Sequence, residues 1–180
     1  MDAETWHIPL KSHSTIISDA LATMESFKLD QNDVPFIIRL FENPKYNIIP
    51  GAVTLESHDI IHTLLGRGLL PKDEAYVIGF TMGSSRGLTW PEKRLFRFIT
   101  RHLYPKGYRF TGDDLQVFEA GVSCAKKMKC MDLSKVDLSW FSSYTIKNAR
   151  SELGIDVDPL IVDYTLEKLT YDAPESQRLL

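Results

Sequence analysis

The sequence predicts an all-α protein, folded as a single compact bundle of roughly seven to eight helices, and three observations predict it. Apolar residues recur at helical spacing through nearly the whole chain, with little alternation of period two. Residues that cap helices precede these periodic runs, and Gly or Pro follows them, as Thr54 and Gly66 do. No repeat, low-complexity tract or long heptad array points instead to a solenoid or coiled coil. With 180 residues, 43% of them hydrophobic and 25% charged, the chain can bury a substantial core in one domain and carries no signature of disorder.

The elements follow in order. Ser14 caps a first helix with Ile16, Ile17, Ala20, Leu21, Met24 and Phe27 on its apolar side, and Asp33 starts a second that Asn43-Pro44 ends. From Lys45 to Val53 the composition turns to Tyr, Asn, Pro and Gly, an irregular connector. Thr54 then caps a helix carrying Glu56 in its first turn and stopped by Gly66 and Gly68. Pro71 opens the next, with Asp73 and Glu74 at its positive end.

Pro91 opens a helix to about Tyr104, and Pro105-Lys106-Gly107 separates it from another that follows Thr111 or Gly112 and carries Leu115, Phe118, Val122 and Ala125. After a polar stretch at Asp132 to Asp137, Ser142 or Ser143 caps a helix ended by Gly154. Asp158-Pro159 reads as the N-cap and first residue of the last helix, and Asp172-Ala-Pro-Glu-Ser as a tail.

Function is concentrated in His58-Asp59-Ile60-Ile61-His62, followed after eleven residues by Glu74. Two histidines four apart on a helix share one face, and Asp59 flanks that face. If the two helices form a hairpin across the Gly66 to Leu70 loop, His62 and Glu74 each lie ~5 Å from its turn and therefore at one level. Two imidazoles with one or two carboxylates suit Zn, Fe(II) or Mn, with Zn foremost, and leave room for water or substrate at an open position. The plainer alternative is that the histidines are locally hydrogen-bonded and Glu74 is a first-turn acid.

The spacing His-Asp-x-x-His-x11-Glu, matched by His58, Asp59, His62 and Glu74, together with Thr63-Leu64-Leu65-Gly66, resembles the ubiquinone (coenzyme Q) biosynthesis Coq-four family. The match covers about residues 55 to 75, with a weaker similarity at Arg150 to Ile155. The resemblance implies a mostly helical fold, a divalent ion held by these four residues and action on a polyprenylated ring intermediate, where the family is associated with oxidative decarboxylation. It also implies peripheral membrane association and a homodimer. Asp59 or Glu74 would then exchange a ligand role for that of a general base.

Two other readings stand beside it. A His-Asp phosphohydrolase would use His58-Asp59 with a more distant His, for which His7 and His13 are available, and a downstream Asp, for which Asp113 or Asp114 is available. A non-catalytic lipid-binding or interaction protein would hold a structural ion instead. Arg67 and Arg86 bracket the site and offer bidentate contacts to a phosphate or carboxylate, though structural ion pairing is the commoner use of such residues. Residues 91–104 form a basic amphipathic helix, with Lys93, Arg97 and Arg101 at four-residue spacing, that can meet an anionic membrane.

A net charge of −3 gives no global attraction to nucleic acid, and no phosphate-loop motif is present. No apolar run reaches the ~18 to 20 residues that span a bilayer, and the acidic N-terminus is unlike a transit or secretory signal, so a cytoplasmic protein is expected. Cys124 and Cys130, the only cysteines, are expected to be thiols with no assigned role.

Overall fold

In the computed structural model, residues 5–25, 51–85, 87–102 and 109–180 are described. Among the described residues eight α-helices follow one another: α1 (Ile17–Glu25), α2 (Leu55–Leu65), α3 (Pro71–Ser84), α4 (Trp90–His102), α5 (Gly112–Met128), α6 (Ile146–Leu153), α7 (Val157–Thr170) and the single-turn α8 (Pro174–Gln177). A 3-10 turn, Leu138–Phe141, precedes α6. Among the described residues the only β contact is an isolated antiparallel bridge between Ile16 and Thr145, so the protein is an all-α bundle.

Helices α3 and α5 form its central pair, because small residues let their backbones touch. A Cβ at Gly121 would sit 2.5 Å from the Tyr76 carbonyl oxygen, and one at Gly79 would overlap the Phe118 carbonyl. Only a residue without a side chain permits that approach. Phe118 stacks on Phe96 of α4 with ring centroids 4.8 Å apart, and Phe80, Leu115, Val117 and Val122 complete a buried layer around the pair.

Helix α2 lies beside this pair as the first arm of a short hairpin. Thr54 accepts a hydrogen bond from the Ser57 amide, and Gly66, at φ 69°, closes the helix with its amide bonded to the His62 and Thr63 carbonyls. Distant side chains fix its last turn: Arg150 Nε donates to the Leu64 carbonyl at 2.7 Å, and the Tyr164 hydroxyl donates to the Leu65 carbonyl at 2.7 Å. Orphan carbonyls at a helix end are thereby satisfied inside the core. Pro71 then starts α3, where Asp73 accepts from the Leu70 amide.

Five boundaries differ from the sequence reading. Helix α6 is capped by Thr145, which accepts from the Asn148 amide, and not by Ser142 or Ser143. The reason is non-local: Ile17 N donates to Tyr144 O and Ile146 N to Thr15 O, so pairing with the segment before α1 holds Thr145 extended. The same pairing delays α1 until Ile17. Helix α7 is capped by Asp156, which places Asp158 and Pro159 within its first turn, where the missing proline N–H removes no helical bond. The segment expected as a tail forms α8, and Ser176 is fully buried there with its hydroxyl donating to Glu167. Helix α4 starts at Trp90, one residue early, with the Thr89 amide bonded to Glu92. The helix expected from Asp33, along with Phe27, Tyr104 and most of the Lys45 to Val53 connector, falls outside the described residues.

Candidate metal centre

The α2–α3 hairpin brings together three of the four residues of the motif. His58 Nε2 lies 3.0 Å from Glu74 Oε2 and 3.0 Å from His62 Nε2, and His62 Nε2 lies 3.2 Å from Glu74 Oε1. The rings meet edge to face, with centroids 4.7 Å apart. His58 and His62 share a face because four residues make slightly more than one turn, and Glu74 faces them because the hairpin is short.

These distances fit a transition-metal ion. The three side chains form a triangle in which the two imidazole nitrogens are 3.0 Å apart and each meets a different oxygen of the Glu74 carboxylate, so both rings can share one ion with that carboxylate. Among the described residues, His58, His62 and Glu74 are the group that could hold such an ion. Burial is graded across it: His62 is wholly buried, His58 nearly so, and the Glu74 side chain is 32% exposed. Access to the triangle is therefore from the Glu74 side, as an open coordination position requires.

Asp59 is on α2 and half-buried, and it is not in the converging group. It lies ~60° around the helix from His62, on the side away from His58, with a side chain too short to make up the difference. The shared face of α2 is thus narrower, as a site, than the wheel suggests.

Electrostatics distinguish Glu74 from its neighbour. Burial opposes ionisation of the Glu74 carboxyl, but the His62 and His58 imidazoles outweigh it and hold the group well below the usual carboxylate range. At Asp73 burial prevails: its carboxyl is raised despite Arg67 and Arg178 and, more weakly, His62.

Arg67 does not reach the centre. It is fully buried, its NH1 and NH2 donate to the two carboxylate oxygens of Glu167 at 3.0 and 2.6 Å, and its guanidinium carbon lies 4.1 and 4.2 Å from the ring centroids of Tyr76 and Tyr164. Of the two uses the sequence left to Arg67, a ligand contact or structural ion pairing, the geometry is that of the ion pair, with Glu167, a hundred residues away, meeting the guanidinium fork. Arg86 falls outside the described residues.

The residues a phosphohydrolase would recruit stand apart from the triangle. His13 is exposed and His7 half-buried, and neither joins the group. Asp113 is exposed, while Asp114 is buried as the capping partner of Thr111 and pairs with Lys72 at 3.5 Å.

Cys124 is buried and Cys130 half-buried, both as free thiols. Burial pushes the thiols up to about 12 and about 11, so neither is a ready nucleophile or metal ligand near neutrality. A cavity of about 330 Å³ at the far end of α3 is lined by Gly83, Ser84, Ser85, Leu88, Lys126 and Cys130, and shares no residue with the centre.

Sequence reasoning overlooked Arg150 and Tyr164, which hold the carbonyls at the end of α2 and so set the depth of His62. Their types carry no local signal, and only the fold reveals the contact. Comparison with protein-family models, curated proteins and solved structures finds no match to this chain.

Proposed function

We propose that this is a metal-binding protein of the Coq-four type, using His58, His62 and Glu74 to hold a divalent ion, Zn foremost with Fe or Mn as alternatives, and acting on or presenting a prenylated quinone precursor. The observation that carries the reading is the convergence of two imidazole nitrogens and one carboxylate, drawn from two helices, within 4.8 Å of one another.

A bound ion would supply Lewis acidity toward a ring oxygen or carboxylate, or, if redox-active, dioxygen chemistry. The chain's own contributions are more specific. His62, wholly buried, anchors the site from beneath. Glu74, exposed on one side and held well below the usual carboxylate range by the imidazoles, suits a ligand role better than that of a base. Asp59, half-buried on the same helix as the histidines, is the carboxylate left to accept a proton from a substrate.

Surface features support a lipid-facing role. Helix α4 exposes Trp90, Leu95 and Phe98 beside Arg94 and Arg101, with Arg94 stacked 5.2 Å from the Trp90 ring, the composition of a helix lying on an anionic membrane. Val162, Leu166 and Leu169 form an exposed apolar stripe on α7, which suits a second copy of the chain. No helix among the described residues is long and apolar enough to cross a membrane.

The test is metal content. Elemental mass spectrometry of untagged protein, purified without chelators or added metals, should find near one ion per chain in the wild type and a loss of it in His62→Ala. No ion in either, even after reconstitution with Zn, Mn or Fe(II), removes the metal from the reading.

A further inference from the structure

The cavity at the far end of α3 is built differently from the metal centre and lies well away from it. Ser84 closes α3 ten residues beyond Glu74, so ~15 Å of helix separates the two at a rise of ~1.5 Å per residue. At about 330 Å³ the cavity is large enough for a small molecule. Its walls are mostly polar: Leu88 and Ala125 are the apolar side chains beside the Cys130 thiol, while Ser84, Ser85, Lys126 and Lys129 supply hydroxyls and ammonium groups. A long apolar tail has no wall to lie on there.

The donors around this space lack acceptors. Ser85 is 7% exposed, and its hydroxyl accepts from the Gly87 amide at 3.4 Å but donates to no acceptor among the described residues, whereas a buried hydroxyl normally finds one. Lys126 reaches the Leu88 carbonyl at 3.5 Å, and no carboxylate pairs with it or with Lys129 among the described residues. Asp132, the acid nearest to them in sequence, is engaged by Ser134 and Lys135 instead. Three donors thus border one space with no anion among them.

Lys129 carries the stronger signal. It closes α5 at φ 56° and ψ 34°, and among the described residues it is the one residue other than glycine with a positive φ. Helices α2 and α6 end in the same left-handed conformation, but on Gly66 and Gly154, where no Cβ opposes it. A lysine is strained there, and the helix dipole does not require it, since Lys126 and Lys127 already meet the last turn of α5. We infer that the cavity binds the phosphate group of a small polar molecule, with Lys126 and Lys129 balancing its charge and the Ser85 hydroxyl donating to one of its oxygens. Ammonium groups bind phosphate as point charges, and two of them match the nearly double charge that a phosphate ester carries at neutral pH. The site shares no residue with the metal centre and stands without it.

The experiment titrates inorganic phosphate into the whole nitrogen-15-labelled chain and follows the amides by NMR. Those of Gly83, Ser85, Lys129 and Cys130 should shift and saturate, and acetate should bind more weakly. Lys129→Gly should weaken phosphate about tenfold or more, the size of one charge-assisted contact, yet melt at or above the wild-type temperature because the strained residue is gone. Lys127→Ala removes the same charge from α5 outside the cavity and should leave phosphate affinity as in wild type. His62→Ala should do the same, which separates this site from the metal centre. Unmoved amides, acetate binding as tightly as phosphate, equal losses in Lys127→Ala and Lys129→Gly, or loss in His62→Ala each overturn the assignment. If Lys129→Gly melts early, Ser85→Ala, which keeps the cap, decides: several-fold weaker phosphate supports the site and unchanged affinity overturns it.

Discussion

Asp73 and Glu74 are neighbours in sequence, yet they belong to two polar clusters built on opposite plans. Asp73 faces Arg67 and Arg178, in a layer where Arg67, Glu167, Tyr76, Tyr164 and Ser176 close around one another with no exposed charge. Glu74 faces two imidazoles and retains one exposed side. Both clusters hold the α2–α3 hairpin. The first pairs each strong charge with a permanent opposite charge, which is how a protein carries ions in its interior. The second gathers three groups competent to donate electron pairs toward one point, the arrangement on which the proposed metal centre rests. The closed network is architecture, and the convergent, half-open one is the candidate site.

The largest expected effect breaks the closed cluster. Arg67→Met leaves Glu167 buried without its guanidinium and removes the cation between Tyr76 and Tyr164, so unfolding free energy should fall by about 3 to 5 kcal/mol, read from urea melts. Adding Glu167→Met should recover much of that loss, since the penalty comes from the stranded charge and not from the absence of an ion pair. If Arg67→Met instead melts like wild type, the network is not the clamp that the geometry describes.

The open cluster should respond to metal where the closed one does not. At free zinc a hundredfold above the dissociation constant, wild-type protein should gain about 2.7 kcal/mol and His62→Ala nothing. In metal-free protein His62→Ala should cost much less than Arg67→Met, because truncation removes a ring whose Nδ1 has no hydrogen-bond partner among the described residues and strands no buried charge. A variant that unfolds without any metal would place His62 in the architecture and erase the distinction between the clusters.

What the sequence discloses about these clusters follows their range. The convergence of His58, His62 and Glu74 is legible because it needs only an i, i+4 pair, a capped helix and a short loop, each signalled locally by Thr54, Gly66 and Pro71. Asp59 shares that face on a wheel, but a wheel has no third dimension to show where Glu74 arrives. Arg67 reads as an ion-pairing residue without a nameable partner because Glu167 lies a hundred residues on, and Thr145 is missed as a cap because Ile16 holds it extended from across the fold. The polar segment at Pro174 reads as a tail for the same reason: Glu175 and Ser176 are buried against charges that sequence spacing cannot associate with them.

A smaller effect separates the clusters by pH. Because the folded Glu74 carboxyl lies below its ordinary range, its stabilising contribution is fully present above the unfolded value, about 4.3, and is lost as pH falls through the lower folded value. Urea midpoints of metal-free wild type and Glu74→Gln should therefore differ near neutrality and converge as the solution is acidified below that range. Equal separation at every pH would mean that packing, and not the charge between the imidazoles, sets the contribution of Glu74.

The smallest effect calibrates both clusters against an ordinary surface pair. Glu119 on α5 receives Lys93 at 2.9 Å and Arg97 at 3.4 Å from α4, the same count of cationic partners that Asp73 has. Arg97 is half exposed and Glu119 one-third exposed, so water competes for every contact and salt screens the rest. Glu119→Gln should accordingly shift stability by at most about 0.5 kcal/mol, less still in high salt, and leave zinc binding unchanged. A loss approaching that of Arg67→Met would show that having two cationic partners is enough by itself, wherever the carboxylate sits. The small value expected here instead assigns the strength of the first cluster to burial and the chemistry of the second to convergence.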